Sequence, residues 1–367
     1  MFKSNKFITL PIFIMILILL TACAPEELAP QLFDDRPTRQ PSVESNPPIA
    51  EIVPEIDTIN SEQTEGNAEG NVDNWPTRPI TIVVPFLAGG DTDFYARMLA
   101  PYLEEILGQP INVVNVDGMI GTLGATMVKE AEPDGYTVLF YHTGSLFSNV
   151  LVGATIINYH DFLISCIAMH CDANVMLINP DLGINTAEEF LTFIRANPNG
   201  LRTATTTSGF SYMLLRMTEN AGNFKTEAIN VGGAALMITA VLTGHADVTN
   251  VSLALAANYI DNGELIPLWI SAGERNVGWP DIPTLEEIGI SNGYIGRSYF
   301  FAFPLNTNTL IAQRLSDAVG QVTENPEFAE QLFNAVSMPA YFVPFYESTG
   351  YLELLWRSLD GFEEFMR

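Results

Sequence analysis

The stretch PFLAGGDTD at residues 85–93 joins a predicted strand to a predicted helix. The run ITIVV at 80–84 precedes it and is apolar and mostly β-branched, which is typical of a buried strand. From Phe94 onward, apolar residues recur at helical spacing. A strand, a pair of glycines and a helix start predict a loop whose backbone N–H groups hold an anion at the helix N-terminus.

The loop contains two aspartates and no lysine, so its donors would be backbone groups and one hydroxyl. We expect ligand contacts from Ala88, Gly89, Gly90, Asp91, Thr92 and Asp93. We interpret the two aspartates mainly as acceptors for the N–H groups at the start of their own helix. An aspartate that pointed towards the ligand would suit an amino or hydroxyl group. The alternative for the whole loop is an ordinary strand–helix turn without a ligand.

The composition indicates an acidic protein with more than one folded unit. The chain has 367 residues, with 16 basic and 43 acidic side chains and a formal net charge of −27. This length allows two domains with their own cores. No basic stripe that would neutralise phosphates is visible in the sequence, which argues against nucleic acid as a partner. The negative charge also argues against electrostatic binding to anionic lipids.

The N-terminus has the pattern of a secretory signal. Lys3 and Lys6 precede an apolar run at 7–20 that is short for a membrane span. The LTAC motif that follows ends at Cys23 and resembles the bacterial lipobox, in which the cysteine is lipidated and becomes the mature N-terminus. We therefore predict a lipoprotein signal peptide at 1–23, with an ordinary cleaved signal as the alternative.

Residues 24–74 are predicted to be an acidic disordered tether. They are rich in Glu, Asp, Pro, Asn and Ser, and few of them suit a hydrophobic core. A lipid on Cys23 and such a tether would hold a soluble domain beside a membrane. We expect an extracytoplasmic protein that is anchored to the cell membrane.

The remaining cysteines and the histidines do not predict a metal site. Cys166 and Cys171 lie five residues apart in a strand-like run, where an odd separation places side chains on opposite faces. We predict buried free thiols rather than a disulfide. The histidines are scattered without zinc spacing, so we expect no metal and no cofactor.

From Trp75 onward, β-rich runs alternate with helical patterns, which predicts α/β layers around mainly parallel sheets. The predicted strands are 79–84, 111–115, 136–141, 164–168, 174–178, 201–205, 226–230, 246–250, 265–271 and 298–303. The predicted helices are 92–107, 120–131, 186–196, 209–221, 233–243, 252–261, 284–288, 308–324, 326–335 and 346–366. Pro101 falls inside the first helix, where it would kink or interrupt it. One sheet cannot easily use so many strands, so we predict two α/β lobes with the ligand between them.

A series of motifs resembles the solute receptors of tripartite tricarboxylate transporters, also called the Bug family. Residues 75–115 resemble the family's opening strand, glycine loop, first helix and second strand. EPDGYTVLF at 132–140 resembles its third strand with the preceding turn. GHADV at 244–248, NGELIPLWISAGER at 262–275 and WPDIPTLEEIGI at 279–290 resemble elements of its second lobe.

The resemblance implies the type II periplasmic-binding-protein fold, with two α/β lobes, two crossover segments and a ligand cleft between the lobes. It places 75–173 and 297–367 in lobe one and 174–296 in lobe two. Family members receive small carboxylates and deliver them to a membrane permease. The resemblance also implies that backbone N–H groups, hydroxyls and ordered waters hold the carboxylate, rather than arginine.

Further segments are predicted to close the ligand pocket because they follow strands or precede helices, at the sheet edge where α/β proteins bind ligands. The predicted ligand-binding residues of these segments are His142, Thr143, Gly144, Thr206, Thr207, Ser208, Gly232, Gly233, Ala234 and Asn250. A structural role is the alternative for His142, and simple helix capping is the alternative for the hydroxyl-rich run at 206–208.

The sequence departs from the family's pattern at the predicted site. Hydroxyls replace both glycines of its usual Gly-x-Gly-Ser pattern near 205–208. The family's basic-Pro-Gly segment reads Val116-Asp117-Gly118 here, and its Tyr-Lys pair reads Asn230-Val231. A hydroxyl-lined and less basic cleft would prefer a monocarboxylate or a zwitterion to citrate.

The sequence predicts the first of three functions, and the other two are alternatives. The first is a lipid-anchored receptor that binds a small carboxylate and delivers it to the permease subunits of a tripartite transporter. The second is a ligand-sensing receptor for signalling or for another transporter class. The third is an enzyme on the same fold, which we do not predict, because Ser208 has no histidine or lysine near it in sequence that would activate it.

Overall fold

The computed structural model of the chain describes residues 74–171, 173–364 and 366. The predicted signal peptide at 1–23, with its lipidated Cys23, lies outside these residues, as does the predicted tether at 24–74 apart from its last residue. No helix in the described part of the chain combines the length and the apolar character that a membrane span needs.

Two five-stranded sheets organise the described residues. The strands in chain order are β1 (Ile80–Val84), β2 (Ile111–Asn115), β3 (Thr137–His142), β4 (Phe162–Cys171), β5 (Asn174–Ile178), β6 (Arg202–Thr205), β7 (Glu227–Asn230), β8 (Val248–Ser252), β9 (Ile266–Ser271) and β10 (Arg297–Pro304). The first sheet has the order β2-β1-β3-β10-β4 and the second has the order β7-β6-β8-β5-β9. β10 in the first sheet and β5 in the second run antiparallel to both neighbours, and the other pairs are parallel.

Helices connect the strands in the alternation that the sequence predicts. The helices in chain order are α1 (Asp91–Leu107), α2 (Thr122–Lys129), α3 (Thr143–Leu151), α4 (Ala187–Ala196), α5 (Phe210–Gly222), α6 (Ala234–Leu242), α7 (Leu253–Asp261), α8 (Thr309–Glu324), α9 (Pro326–Val336) and α10 (Phe345–Arg357). α1 continues through Pro101, so the helix is not interrupted there.

Each sheet is the centre of one lobe, and helices cover both faces. Alternate residues of β1 illustrate this, because successive side chains of a strand point to opposite faces. Ile82 packs in the cluster with α1 and α8, whereas Val83 packs in the cluster with α2 and α3. The α/β class and the two-lobed fold are therefore confirmed. The predicted lobe boundaries fall between the two sheets and stay a prediction.

All ten predicted strands are confirmed, with ends that differ by three residues at most. The predicted helix at 284–288 is wrong. Leu285 donates its N–H to the carbonyl of Ile270 in β9, so this segment is a turn tied to the sheet. The helix predicted to end at residue 366 ends at Arg357 instead. Gly361 then adopts a φ of 81°, a left-handed conformation that favours glycine and breaks a helix.

The sequence did not predict α3. Its residues Thr143–Asn149 are all buried, so the helix shows no alternation of apolar and polar faces. The prediction of buried free thiols is confirmed for Cys166 and Cys171. Burial raises the pKa of the Cys166 thiol to about 12. This thiol is therefore protonated at neutral pH.

Candidate functional site

In each sheet the parallel strands end at one edge, and the crossover segments connect these two edges. The parallel strands β1, β2, β3 and β4 end at the edge of the first sheet where β10 begins. The strands β6, β7, β8 and β9 end at the edge of the second sheet where β5 begins. Ligands of α/β proteins bind at such edges. The two lobes also touch here, since Ser148 of α3 donates to the carbonyl of Gly209 at 2.9 Å.

The loop at 85–93 leaves the edge of lobe one and leads into α1. Gly90 is the N-cap of α1, and no side chain caps this helix. The N–H groups of its first turn, which include those of Asp91 and Thr92, have no intrahelical partner. Gly89 has a φ of 83°, and its N–H is donated to Asp93 Oδ2 at 2.9 Å. Gly89 therefore shapes the loop, and the N–H groups after it are the ones that remain for an anion.

Asp93 fixes the loop from inside. Its Oδ1 accepts from Arg97 Nε and from Asn115 Nδ2, each at 2.9 Å. Burial by itself raises the pKa of Asp93, but the hydrogen bonds from Arg97, Gly89 and Asn115 outweigh it and lower the pKa below its ordinary value. Asp93 is charged at neutral pH. Its backbone donor, Gly89, lies before the N-cap of α1, so Asp93 shapes the loop and does not cap its own helix, and the interpretation as a helix cap is wrong for it.

The same interpretation is also wrong for Asp91. Its Oδ2 accepts from Arg297 Nη1 at 2.9 Å, and its Oδ1 accepts from Ser252 Oγ at 2.7 Å. The side chain of Arg297 is buried and that of Asp91 is 10% exposed. A hydrogen bond between two charged groups is stronger than a backbone cap, so the guanidinium takes the carboxylate away from its own helix. Asp91 connects lobe one to Ser252 in lobe two.

Arg297 is a site residue that the sequence did not predict. It begins β10, and its Nη2 also donates to Asn174 Oδ1 at 3.2 Å. Its guanidinium lies 4.6 Å from the centre of the Phe210 ring. Burial opposes the charge, but Tyr299 and Asp91 outweigh it and raise the pKa of Arg297. The available signal was a single arginine at the head of the apolar run RSYFFAFP, which is buried throughout.

His142 supports the structural alternative. Its Nδ1 accepts from the N–H of Ser145 at 3.2 Å, which caps α3, and its ring stacks on Phe86. Burial, and then the charge of Arg297, hold the pKa of His142 well below its ordinary value. His142 is therefore neutral at pH 7.

The neighbours of His142 lie in a packed region. Thr143 Oγ1 accepts from the N–H of Ser298 at 3.1 Å. A Cβ on Gly144 would lie 2.2 Å from a ring carbon of Phe210 in α5. Gly144 thus allows α3 of lobe one to approach α5 of lobe two.

The run at 206–208 forms a turn before α5. Thr206 Oγ1 donates to the carbonyl of Ser208 and lies 3.0 Å from Ser211 Oγ. Thr207 is exposed and Ser208 is buried. α5 begins after Gly209 without a side-chain cap, so these hydroxyls do not serve as its cap.

The run at 232–234 leads into α6. Gly232 has a φ of 94°, and Gly233 is the N-cap without a side-chain cap. Ala234 is the first residue of the helix. This run follows β7, which is the outermost strand of its sheet, and no hydrogen bond in the described structure joins it to the loop at 85–93. Its role as a second wall of the pocket stays a prediction.

Asn250 lies in β8 and is 4% exposed. Neither its Nδ2 nor its Oδ1 has a hydrogen-bond partner among the described residues. Buried amides are almost always partnered, so this one requires an explanation. No group of three His, Cys, Asp or Glu side chains in the described part of the chain is placed to hold a metal ion.

The structure is that of a two-lobed solute-binding protein. Two crossovers join its α/β lobes, and helices with a glycine as N-cap residue start at the facing sheet edges. The chain matches the family model "Tripartite tricarboxylate transporter family receptor" over residues 95–343, and it belongs to this family. A UPF0065 protein of Cupriavidus necator is 31% identical over 287 residues, which cover 75% of this chain and 83% of that protein. The resemblance seen in the motifs is thereby confirmed.

Solved structures show the same fold. The periplasmic binding protein BugD aligns with a TM-score of 0.70 and 23% identity, over 79% of this chain and 99% of BugD. The MatC protein of Rhodopseudomonas palustris, determined with bound malate, aligns with a TM-score of 0.69 and 24% identity, over 80% of this chain and all of MatC. The family consists of transporter receptors.

Proposed function

We propose that this protein is an extracytoplasmic receptor that binds a small organic carboxylate between its lobes and delivers it to the permease of a tripartite transporter. The observation that carries the proposal is the set of glycine helix starts at the facing sheet edges. α1, α5 and α6 begin after Gly90, Gly209 and Gly233, and none has a side-chain cap. Uncapped helix starts offer N–H groups and partial positive charge to an anion. MatC with bound malate supports a carboxylate as the ligand class.

The charges at the site favour a ligand that has one carboxylate and no second negatively charged group. The buried cation Arg297 is already paired with Asp91, so the pair adds no net charge. A second ligand carboxylate would therefore be buried without a partner, which is costly. A monocarboxylate or a zwitterion meets this balance better than citrate does.

Binding would favour the arrangement in which the two lobes contact the same ligand. A ligand shifts a protein towards the state that binds it better. The loop at 85–93 would hold the carboxylate from lobe one, and the starts of α5 and α6 would meet it from lobe two. The closed form is then the one presented to the permease, and the proposal includes no catalytic step.

The N-terminal motifs support a lipid anchor on Cys23 and a tether to the membrane. Both lie outside the described residues. In cells, Cys23→Ala should move the protein from the membrane fraction to the soluble fraction. Retention of the variant in the membrane fraction would contradict the anchor and leave the ligand site unaffected.

Gly90→Ala tests the carboxylate loop. Gly90 has a φ of −89°, and an added Cβ meets no atom closer than 3.7 Å, so the fold tolerates alanine. The methyl group would stand where the ligand approaches the backbone. We expect calorimetric titration with a panel of three- to six-carbon acids to show binding to the wild type, weakened at least about tenfold in the variant, with the unfolding temperature unchanged.

The matched control is Gly350→Ala. Gly350 lies in α10, where an added Cβ meets no atom within 4 Å, and it should not affect binding. Equal affinity of the wild type and Gly90→Ala would remove this loop from the site. The absence of binding heat and of a thermal shift across the panel would contradict a carboxylate receptor.

A further inference from the structure

Four side chains of lobe two place unpartnered polar atoms on one face of the second sheet. The atoms are Asn250 Nδ2 and Oδ1, Asn174 Nδ2, Ser271 Oγ and Trp269 Nε1. The four residues are between 0% and 4% exposed. None of these atoms has a hydrogen-bond partner within the described residues. Together they form a buried polar cluster, called here the Asn250 cluster.

Strand register brings the cluster together. Asn174 of β5 lies opposite Ser271 of β9, and the next residue of β5 on the same face, Met176, lies opposite Asn250 and Trp269. Directly opposed residues on neighbouring strands share one face and lie side by side. The two rows are two residues apart, which is about 6–7 Å along a strand. The cluster therefore spans the three adjacent strands β8, β5 and β9, and the buried Met176 lies between Asn250 and Trp269.

The outer row of the cluster reaches the contact between the lobes. Asn174 Oδ1 accepts from Arg297 Nη2, and Ser252, which lies opposite Asn174, donates to Asp91. Asp91 belongs to the first turn of α1, beside the proposed carboxylate loop. The Asn250 cluster thus extends from the contact between the lobes into lobe two. A ligand held by the loop would have its other end near the cluster.

The chemistry of the cluster selects an uncharged group. An unpartnered buried polar atom is destabilising, so five of them on one face of the sheet indicate groups that are completed by something bound. The cluster contains no titratable side chain, and the nearby Arg297 is already paired with Asp91. A second carboxylate would lack a counter-charge here. The Asn250 amide offers a donor and an acceptor together, which a carboxamide matches with two hydrogen bonds.

We propose that Asn250 determines ligand specificity and that its cluster binds the uncharged, hydrogen-bonding end of a monocarboxylate, with a carboxamide as the best match. This inference rests on the proposed carboxylate receptor. It adds the chemical class of the group at the other end of the ligand.

Isosteric ligand pairs test the proposal. Succinate and succinamate, glutarate and glutaramate, and adipate and adipamate differ only by a carboxylate or a carboxamide at one end. Titration calorimetry of the full-length protein should show one monoamide binding at least about tenfold more tightly than its diacid, as expected for two additional hydrogen bonds. Asn250→Leu should abolish this preference. Asn220→Leu, on the exposed surface of α5, is the matched control and should keep it.

The unfolding temperature gives a second measurement. Asn250→Leu removes two unpartnered atoms, so the ligand-free variant should unfold roughly 2 °C above the wild type. A merely structural asparagine would be partnered, and its loss would lower the unfolding temperature. A lower unfolding temperature of the variant would therefore overturn the proposal.

The remaining outcomes separate this inference from the proposed function. Diacids that bind as tightly as their monoamides would overturn the carboxamide specificity and leave the carboxylate receptor standing. A higher unfolding temperature of Asn250→Leu without any ligand preference would show that the cluster holds only water. No binding in either series, together with no binding in the panel of three- to six-carbon acids, would overturn both proposals.

Discussion

Asp91 and Arg297 are 206 residues apart in the chain and share an ion pair where the lobes meet. The pair is part of a small network, because Ser252 donates to the carboxylate and Asn174 accepts from the guanidinium. Such a pair contributes little net stability relative to an apolar pair, but the loss of one partner leaves a buried charge. At the scale of single residues, this network distinguishes the site from a simple backbone loop for anions.

Asp91→Asn and Arg297→Met test this pair. Asp91→Asn leaves Arg297 buried without its counter-charge, and we expect a loss of about 3–5 kcal/mol in the free energy of unfolding. The double variant should recover much of that loss, because no unpaired charge remains. Urea denaturation of the four proteins gives the coupling. Additive losses in the double variant would show that the two side chains do not interact.

Because His142 is buried in its neutral form, we expect the free energy of unfolding to depend on pH. The unfolded chain takes up a proton at this histidine near pH 6.5, whereas burial keeps the folded form neutral. Stability is therefore fully present above pH 6.5 and falls as the pH decreases below it. His142→Asn keeps an N-cap acceptor for Ser145 without the titration.

Between pH 6 and pH 5 the wild type should lose stability faster than His142→Asn. The difference should approach about 1.4 kcal/mol per pH unit, which is the value for one proton. Urea unfolding at pH 7.5, 6 and 5 measures it. Parallel stability curves for the two proteins would exclude His142 as the titrating group.

At the scale of elements, the start of each helix at the site decides what that helix offers. α3 is capped by His142 and α7 by Ser252, so their first N–H groups are partly satisfied. α1, α5 and α6 begin at glycines without a side-chain cap. The uncapped helices are the ones on which the carboxylate proposal rests. The capped helix α3 instead packs against α5 across the lobes.

Gly144→Ala tests the contact between α3 and α5. The new Cβ would lie 2.2 Å from a Phe210 ring carbon, so one helix must shift. We expect a loss of about 1–3 kcal/mol in the free energy of unfolding, as for other overpacked sites, and weaker ligand binding. In a Phe210→Ala background the same substitution should cost almost nothing. An equal cost in both backgrounds would place the strain elsewhere.

At the scale of the whole molecule, the formal charge of −27 opposes compaction. Like charges repel across the surface, and salt screens this repulsion over a distance of about 10 Å at 0.1 M. The cation Arg297 is withdrawn from the surface into the contact between the lobes. The protein should therefore become more stable as the ionic strength rises.

An increase from 0.05 M to 0.5 M sodium chloride at neutral pH should raise the unfolding temperature. Potassium chloride is the control, because screening depends on ionic strength and not on the identity of the cation. Thermal unfolding followed by circular dichroism measures the effect. An unchanged or lower unfolding temperature at high salt would show that self-repulsion does not limit stability.

The sequence by itself determined the elements and the family. All ten strands, the glycine loop and most helices follow from periodicity and turn residues, which are local properties of the chain. The motifs identified the receptor family without reference to the structure. The helix α3 was missed for a local reason, because it is buried along its first seven residues and lacks an amphipathic pattern.

Only the tertiary structure decided the partners of the side chains at the site. The sequence predicts Asp91 as a helix cap, whereas the fold brings Arg297 beside its carboxylate. The sequence predicts His142 as a ligand contact, with a structural role as the alternative, and the structure shows that its ring caps α3. In the sequence Asn250 is one polar residue in a predicted strand, and only the structure shows that both of its amide atoms are buried without a hydrogen-bond partner among the described residues. These contacts join residues that are distant in the chain, and packing and desolvation, which no local pattern encodes, determine which groups meet.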